Sequence, residues 1–317
     1  SLTMRRSFLD LSKEIKKRFN PNLILEIGSN DGALIKNFDK NNAIGVEPCS
    51  NLAKITSNKG YKTYNNYWNF KLAKKLKKNI KKIDLIYSAN TLTHISNLND
   101  VFKSLAYLMP NDGILIIEDP SLMECIKKVS YDQFYNEHIY VFSAIAVKNL
   151  LDKFDLELFD INNLTTHGGS LRYYIKKKSN NNVKIKSSVK IQIKKETKFG
   201  LNKFTTFKKF AIRTINSKNC LLKLIKKIKL KKKIIICYGA TAKATTVLNY
   251  CKIDNNHIDF FLDTTPDKAN KFMPGKKIKI LEYKKNLLSK VDYIFLGAWN
   301  FKNEILIKEK DFIKKGG

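Results

Sequence analysis

The residues best suited to chemistry begin near the start of the chain. A short apolar run, Leu23-Ile24-Leu25-Glu26-Ile27, ends in Gly28-Ser29-Asn30-Asp31-Gly32, and a second, Ala43-Ile44-Gly45-Val46, ends at Glu47. In an open parallel sheet, ligands bind beyond the carboxyl ends of the strands, so binding groups are expected there. Gly28 and Gly32 admit a ligand close to the backbone, and Glu26 accepts hydrogen bonds from an amine. Glu47, 19 residues beyond Gly28, has the position of a carboxylate that holds both ribose hydroxyls. There is no Gly-x-Gly-x-x-Gly, which makes a dinucleotide pyrophosphate a poor match. S-adenosylmethionine carries no phosphate and fits better. The rival reading is a glycine turn present only for packing.

The chain has four histidines: His94, His138, His167 and His257. With an ordinary pKa of about 6.5, histidine is the side chain best suited to proton exchange near neutrality. Tyr135 and His138 have the i, i+3 spacing that puts two side chains on one face of a helical turn. Read without further context, they are equally a core aromatic and a satisfied buried histidine. His167-Gly168-Gly169 serves a turn, from which His167 and Arg172 are placed to contact a substrate phosphate. Gly239-Ala240-Thr241-Ala242-Lys243 follows an apolar run and opens a helix, where free amides favour an anion and Lys243 adds charge. It is not a Walker motif, because the Lys-Ser/Thr ending is missing. His257 reads as a surface-loop residue.

These groups are positioned by alternating short apolar runs and helical patterns. Helical spacing is expected over 1–20, 33–38, 69–79 and 99–109, and strands over 23–27, 43–46, 83–87 and 113–117. That alternation predicts a parallel sheet with helices on both faces. Residues 176–230 are dense in lysine with apolar residues at helical intervals, and read as a helical connector. Strands over 234–238, 258–262 and 291–296 and a helix through Tyr250 form a second, smaller α/β unit. The expected domains are 1–175, 176–230 and 231–317.

Composition excludes several classes. A chain of 317 residues with 43% hydrophobic residues is a folded protein of about two domains. No run of about 18 apolar residues reads as a membrane span, and the first residues lack the apolar core of a signal peptide, so a cytoplasmic protein is expected. Cys49, Cys125, Cys220, Cys237 and Cys251 lie far apart, which argues against disulfides and against a zinc site. The formal charge is +32, yet only Arg5, Arg6, Arg18, Arg172 and Arg213 are arginine, and the lysines are scattered. A solvated lysine surface is expected in preference to specific nucleic-acid binding.

Leu25-Glu26-Ile27-Gly28-Ser29-Asn30-Asp31-Gly32, with Gly45-Val46-Glu47-Pro48, resembles the class I methyltransferase domain of sugar C-methyltransferases. Further stretches agree in order along nearly the whole chain: Ala89-Asn90-Thr91-Leu92-Thr93-His94-Ile95, Tyr135-Asn136-Glu137-His138, His167-Gly168-Gly169-Ser170-Leu171-Arg172, Tyr238-Gly239-Ala240-Thr241-Ala242-Lys243, Pro274-Gly275 and Ala298-Trp299-Asn300-Phe301. The resemblance implies a Rossmann-like domain followed by a smaller α/β domain that binds a nucleotide sugar. It further implies S-adenosylmethionine as cofactor and methylation of carbon in a nucleotide-linked 4-keto-deoxysugar. Cofactor contacts would then come from Glu26, Gly28, Asn30, Asp31, Gly32, Glu47 and Asn90. His138 would be the general base, with Tyr135 a donor at the enolate and Glu137 and His94 orienting or polarising the sugar. His167, Arg172, Gly239, Thr241, Lys243, Asp263 and Trp299 would bind substrate. Members of the family usually begin with a cysteine-ligated zinc domain and extend a little further, and their tetrad usually reads Tyr-His-Glu-His where this chain has Asn136. The alternatives are an oxygen or nitrogen methyltransferase of the same fold, including one acting on RNA, and a non-catalytic binding module. The sequence leaves the sugar and the oligomeric state open.

Overall fold

The computed structural model describes residues 2–316, which divide into two compact units. The first comprises the chain up to Glu124 and Ile139–Asn202; the second comprises Cys125–His138 and the chain from Lys203. Both units are discontinuous, unlike the consecutive domains expected at 175 and 230. The lysine-rich connector is no separate body, since its two helices fall into different units.

The first unit runs α1 (Leu2–Phe19), β1 (Ile24–Ile27), β2 (Ala43–Val46), α2 (Ser50–Asn58), β3 (Lys62–Tyr64), α3 (Phe70–Asn79), β4 (Leu85–Ala89), α4 (Leu98–Leu108), β5 (Ile114–Pro120), the start of α5 (Leu122–Lys128), α6 (Ala144–Leu151), β6 (Leu156–Leu164), β7 (Ser170–Lys177) and α7 (Ser187–Phe199). Its sheet has the order β3-β2-β1-β4-β5-β7-β6. The first five strands are parallel, while β7 is antiparallel to both β5 and β6. The expected all-parallel sheet is therefore mixed. The hairpin was hidden because Arg172 reads as a phosphate contact and Lys176 as the start of a helical connector, whereas both are buried in ion pairs, with Glu118 at 2.5 Å and Glu157 at 2.8 Å.

One face of the sheet is covered by α3 and α4, whose buried Leu72, Ala73 and Leu76 and Val101, Phe102 and Leu105 follow helical spacing. Their starts are capped by Asn69, which accepts from the Leu72 N–H at 2.9 Å, and Asn97, which accepts from Asp100 at 3.0 Å. The other face holds Leu11 and Ile15 of α1 with Leu34, Ile35 and Phe38. The helix expected over 33–38 is only a 3₁₀ turn, Ile35–Asn37. Asn37 turns its amide back onto the Ala33 and Leu34 carbonyls, at 3.2 and 2.9 Å, and a second 3₁₀ turn, Lys40–Asn42, leads directly into β2.

The second unit contains α8 (Phe204–Leu230), β8 (Ile235–Tyr238), α9 (Ala242–Cys251), β9 (Phe260–Asp263), β10 (Ile280–Glu282), β11 (Tyr293–Leu296), α10 (Lys302–Lys308) and α11 (Lys310–Lys314). Its four strands are all parallel, in the order β10-β9-β8-β11. Segment 125–138 is held in this unit by Arg213, which donates to the Ile126 and Lys127 carbonyls at 3.2 and 2.9 Å, and by Phe134 against Phe210. Among the described residues, no helix is long and apolar enough to cross a membrane.

Candidate functional site

At the carboxyl end of β1 the chain turns sharply, and the turn is tied to β2. The Gly28 N–H donates to the Val46 carbonyl at 2.8 Å, and the Asn30 N–H to Glu47 Oε2 at 2.8 Å. Gly28 has φ +74°, and a Cβ there would lie 2.1 Å from Thr91 Oγ1. The position therefore excludes any side chain, leaving the cradle open to a ligand. A polar cavity of about 450 Å³ lies at this turn, lined by Glu26, Gly28, Asn30 and Asp31, by Asn90 and Thr91 after β4, and by Arg5 of α1. It sits where strand order reverses between β1 and β4. Burial raises the Glu26 carboxyl well above its ordinary pKa, against one N–H bond from Ile35 and with help from the Asp31 and Glu47 charges. An ammonium or sulfonium cation nearby would relieve that penalty.

Gly32 (φ +77°) shapes the turn but lies outside the cavity lining. Glu47 lies outside it too; its carboxylate braces the turn, with the second oxygen accepting from the Cys49 N–H at 2.9 Å. Sequence reasoning missed Met4, Arg5, Phe8 and Lys36, which complete the wall. No local motif marks them, since α1 reads only as an amphipathic helix.

The second cluster lies within the second unit. Tyr135 and His138 share one face as expected, on an isolated turn in which the His138 N–H donates to the Tyr135 carbonyl at 2.9 Å and the two ring centroids lie 3.8 Å apart. The imidazole Nδ1 can only donate to the Gln133 carbonyl, at 2.8 Å, so in the neutral ring Nε2 carries the lone pair. Tyr135 donates its hydroxyl to that Nε2 at 2.5 Å. Burial, and then the Glu137 charge, push the Tyr135 phenol up to about 12, which keeps it protonated. Lys243, buried at the start of α9, lies over the Tyr135 ring at 5.8 Å, its pKa lowered by burial against the opposing charge of Asp132. Asp132 in turn accepts from the Trp299 indole N–H. Trp299 thus anchors the segment that carries Tyr135 and His138.

The turn after β8 meets the same segment. The Gly239 N–H donates to the Leu262 carbonyl at 2.8 Å, and the Ala240 N–H to Asp263 Oδ2 at 2.7 Å. Thr241 caps α9, accepting from Ala244 at 3.1 Å and donating to the Gly297 carbonyl at 2.8 Å. Burial alone would raise Asp263, but the Thr265 and Ala240 N–H groups and Lys268 outweigh it, and its pKa is lowered. A cavity of about 810 Å³ is lined by Tyr135, Asn136, Glu137, Thr241, Lys268, Lys271 and Phe272 among others. Tyr135, Glu137 and Thr241 are thus brought together on one cavity wall, whereas Asp263, Lys243 and Trp299 support them without lining it. Lys268, Lys271 and the exposed Phe272 were not foreseen.

Three candidates fall elsewhere, all in the first unit. His94 is the exposed last residue of a 3₁₀ turn after β4 whose Leu92 and Thr93 are buried, and His167, at φ +53°, lies in the turn between β6 and β7. Arg172 is corrected outright. Its guanidinium is buried between Glu118 at 2.5 Å and Glu14 at 2.9 Å, so it holds β7 and α1 together and is not available to a substrate phosphate.

The two sites, a glycine-cradled pocket at the switch point and a second parallel sheet with its own turn, define a methyltransferase of Rossmann-like fold. Residues 3–161 match the family model described as a methyltransferase domain, and residues 165–317 the model described as a C-methyltransferase C-terminal domain. The chain belongs to this methyltransferase family. It is 27% identical over 314 residues to the C-methyltransferase NovU of Streptomyces niveus, covering 98% of this chain and 74% of that protein. Solved structures similar to it include a SAM-dependent methyltransferase from Archaeoglobus fulgidus, at 13% identity and TM-score 0.44, covering 55% of this chain and 94% of that one. Another is an S-adenosylmethionine-dependent methyltransferase from Clostridium acetobutylicum, at 16% and 0.41, covering 54% and 91%. The enzyme is a methyltransferase whose cofactor is S-adenosylmethionine, and the cavity after β1, with Glu26 and Asp31 on its wall, fits that group.

Proposed function

We propose that the enzyme methylates a carbon of a nucleotide-linked 4-keto-deoxysugar, with His138 as general base. The observation that carries this is the single cavity wall where Tyr135, hydrogen-bonded to His138, stands beside the turn that opens α9. A nucleotide sugar needs both an anion site and a proton-abstracting site. Free amides at the start of α9, with Lys268 and Lys271, suit the diphosphate, and Phe272, at 60% exposure, suits the base.

Forming a carbon nucleophile means removing the proton beside the ketone while the oxygen gains charge. In the resting arrangement Nε2 is covered by the Tyr135 hydroxyl. A ketone oxygen drawing that hydroxyl away would uncover the base and place a donor on the developing enolate. One exchange of a hydrogen bond thus serves both ends of the step, while Gln133 keeps the tautomer. S-adenosylmethionine, when bound, supplies the electrophilic methyl group; Glu26, Gly28, Asn30, Asp31 and Asn90 would hold it, while Glu47 braces the turn that carries them. In heavy water the enzyme should wash deuterium into the position beside the ketone. His138→Gln should lose exchange and methylation by roughly 10²–10⁴-fold, and Tyr135→Phe should slow both less. Normal rates of both in His138→Gln would refute the assignment.

A further inference from the structure

The cofactor cavity of the first unit holds opposite charges on opposite elements. Glu26 and Asp31 come from the end of β1 and its turn, while Arg5 comes from α1 and Lys36 from the short 3₁₀ turn. A pocket for a simple cation would need only the acids, and a pocket for a phosphate would not bury Glu26 in its wall. The mixture suits a zwitterion, and the amino-acid end of the cofactor carries an ammonium and a carboxylate on adjacent atoms.

Arginine is also scarce in this chain, and three of the five are engaged through their forks. Arg18 bridges Glu14 and Asp160, Arg172 bridges Glu118 and Glu14, and Arg213 spans two consecutive carbonyls. Among the described residues no hydrogen bond or ion pair engages the side chain of Arg5 or of Arg6, and of these two only Arg5 lines the cavity, one helical turn before Phe8, whose ring packs into the core and holds that face of α1 inward. A planar fork without a protein partner, at the rim of a zwitterion-shaped pocket, matches a carboxylate in two-point contact.

We infer that Arg5 recognises the α-carboxylate of the cofactor's amino-acid end, with Glu26 opposite taking the ammonium. The inference rests on the cavity after β1 being the cofactor pocket. Calorimetry with two ligands tests it without turnover: S-adenosylhomocysteine, which has the carboxylate, and 5′-methylthioadenosine, which lacks the amino-acid end. Arg5→Leu should bind S-adenosylhomocysteine roughly tenfold or more weakly, as loss of a charge-assisted pair implies, and bind 5′-methylthioadenosine as the wild type does. Arg5→Lys should recover part of the loss, and Lys36→Met should cost less than Arg5→Leu. Unchanged affinity of Arg5→Leu for S-adenosylhomocysteine overturns the inference, and so does an equal loss of both ligands. Gly28→Val, which obstructs the cradle itself, should lose both ligands. If it does so while Arg5→Leu binds normally, the pocket stands and the role of Arg5 falls.

Discussion

The turns after β1 and after β8 are built alike but stand among different charges. In each, the glycine N–H donates to the carbonyl of the residue before a strand-end carboxylate, Gly28 to Val46 and Gly239 to Leu262, both at 2.8 Å. In each, a following N–H donates to that carboxylate, Asn30 to Glu47 at 2.8 Å and Ala240 to Asp263 at 2.7 Å. The difference lies in what comes next. The first turn runs into two short 3₁₀ turns and keeps the acids Glu26 and Asp31 on its cavity wall; the second opens the ten-residue α9, with Lys268 and Lys271 on its wall. On the proposed reading, one frame suits a cationic, phosphate-free ligand in the first unit and an anion in the second. The backbone supplies the cradle, and the neighbouring charges choose its occupant.

The sharpest break of this comparison is to fill each cradle. Gly28→Val should abolish binding of S-adenosylmethionine in calorimetry, because its Cβ would collide with Thr91. Gly239→Val, whose Cβ would lie 2.6 Å from that of Ala298, should abolish binding of a nucleoside diphosphate and spare the cofactor. Circular dichroism of both variants checks that each unit still folds. Loss of both ligands in both variants would end the division of labour.

Titration should separate the two frames by sign. The folded pKa of Glu26 is raised, so its contribution to stability is present below the unfolded value and is lost as pH rises through the folded pKa. Glu26→Gln should therefore gain stability relative to the wild type as pH rises from about 4 towards 8. The folded pKa of Asp263 is lowered, so its contribution is present above the unfolded value and is lost as pH falls through the folded pKa. Asp263→Asn should be less stable at neutral pH, and the deficit should close below about pH 3.9. Thermal midpoints across that range, followed for each variant, check both slopes; equal slopes would mean that the strand-end acids share one environment.

The smallest effect concerns the lysine surface shared by both units. Binding to DNA or RNA should be weak and should fall steeply with salt, since scattered lysines act through counterion release. A sequence preference that survives physiological salt in a filter-binding assay would point to an RNA substrate.

Much of the frame was legible because its signals are local. Strand, glycine turn and strand-end acid occur within about 30 residues at both Gly28 and Gly239, and Tyr135 and His138 are three apart. The β6–β7 hairpin was not legible, because its pattern depends on buried cations whose partners are distant in sequence. Arg172 meets Glu14 and Glu118, and nothing near 172 announces either. Arg5 was missed for the same reason, as an arginine on an amphipathic helix ordinarily reads as solvated.

By itself, the sequence determined the strand and turn units around Gly28 and Gly239, where the chain bends to leave amides free, and which residue types stand at those strand ends. Only tertiary structure decided that segment 125–138 belongs with the C-terminal sheet, that Arg172 is a core ion pair, and that Arg5 lines a cavity. Periodicity and turn chemistry follow from steric and hydrogen-bonding rules acting over a few residues. The work a charge does depends on which distant groups desolvate it and pair with it, and that becomes defined only when the chain has packed.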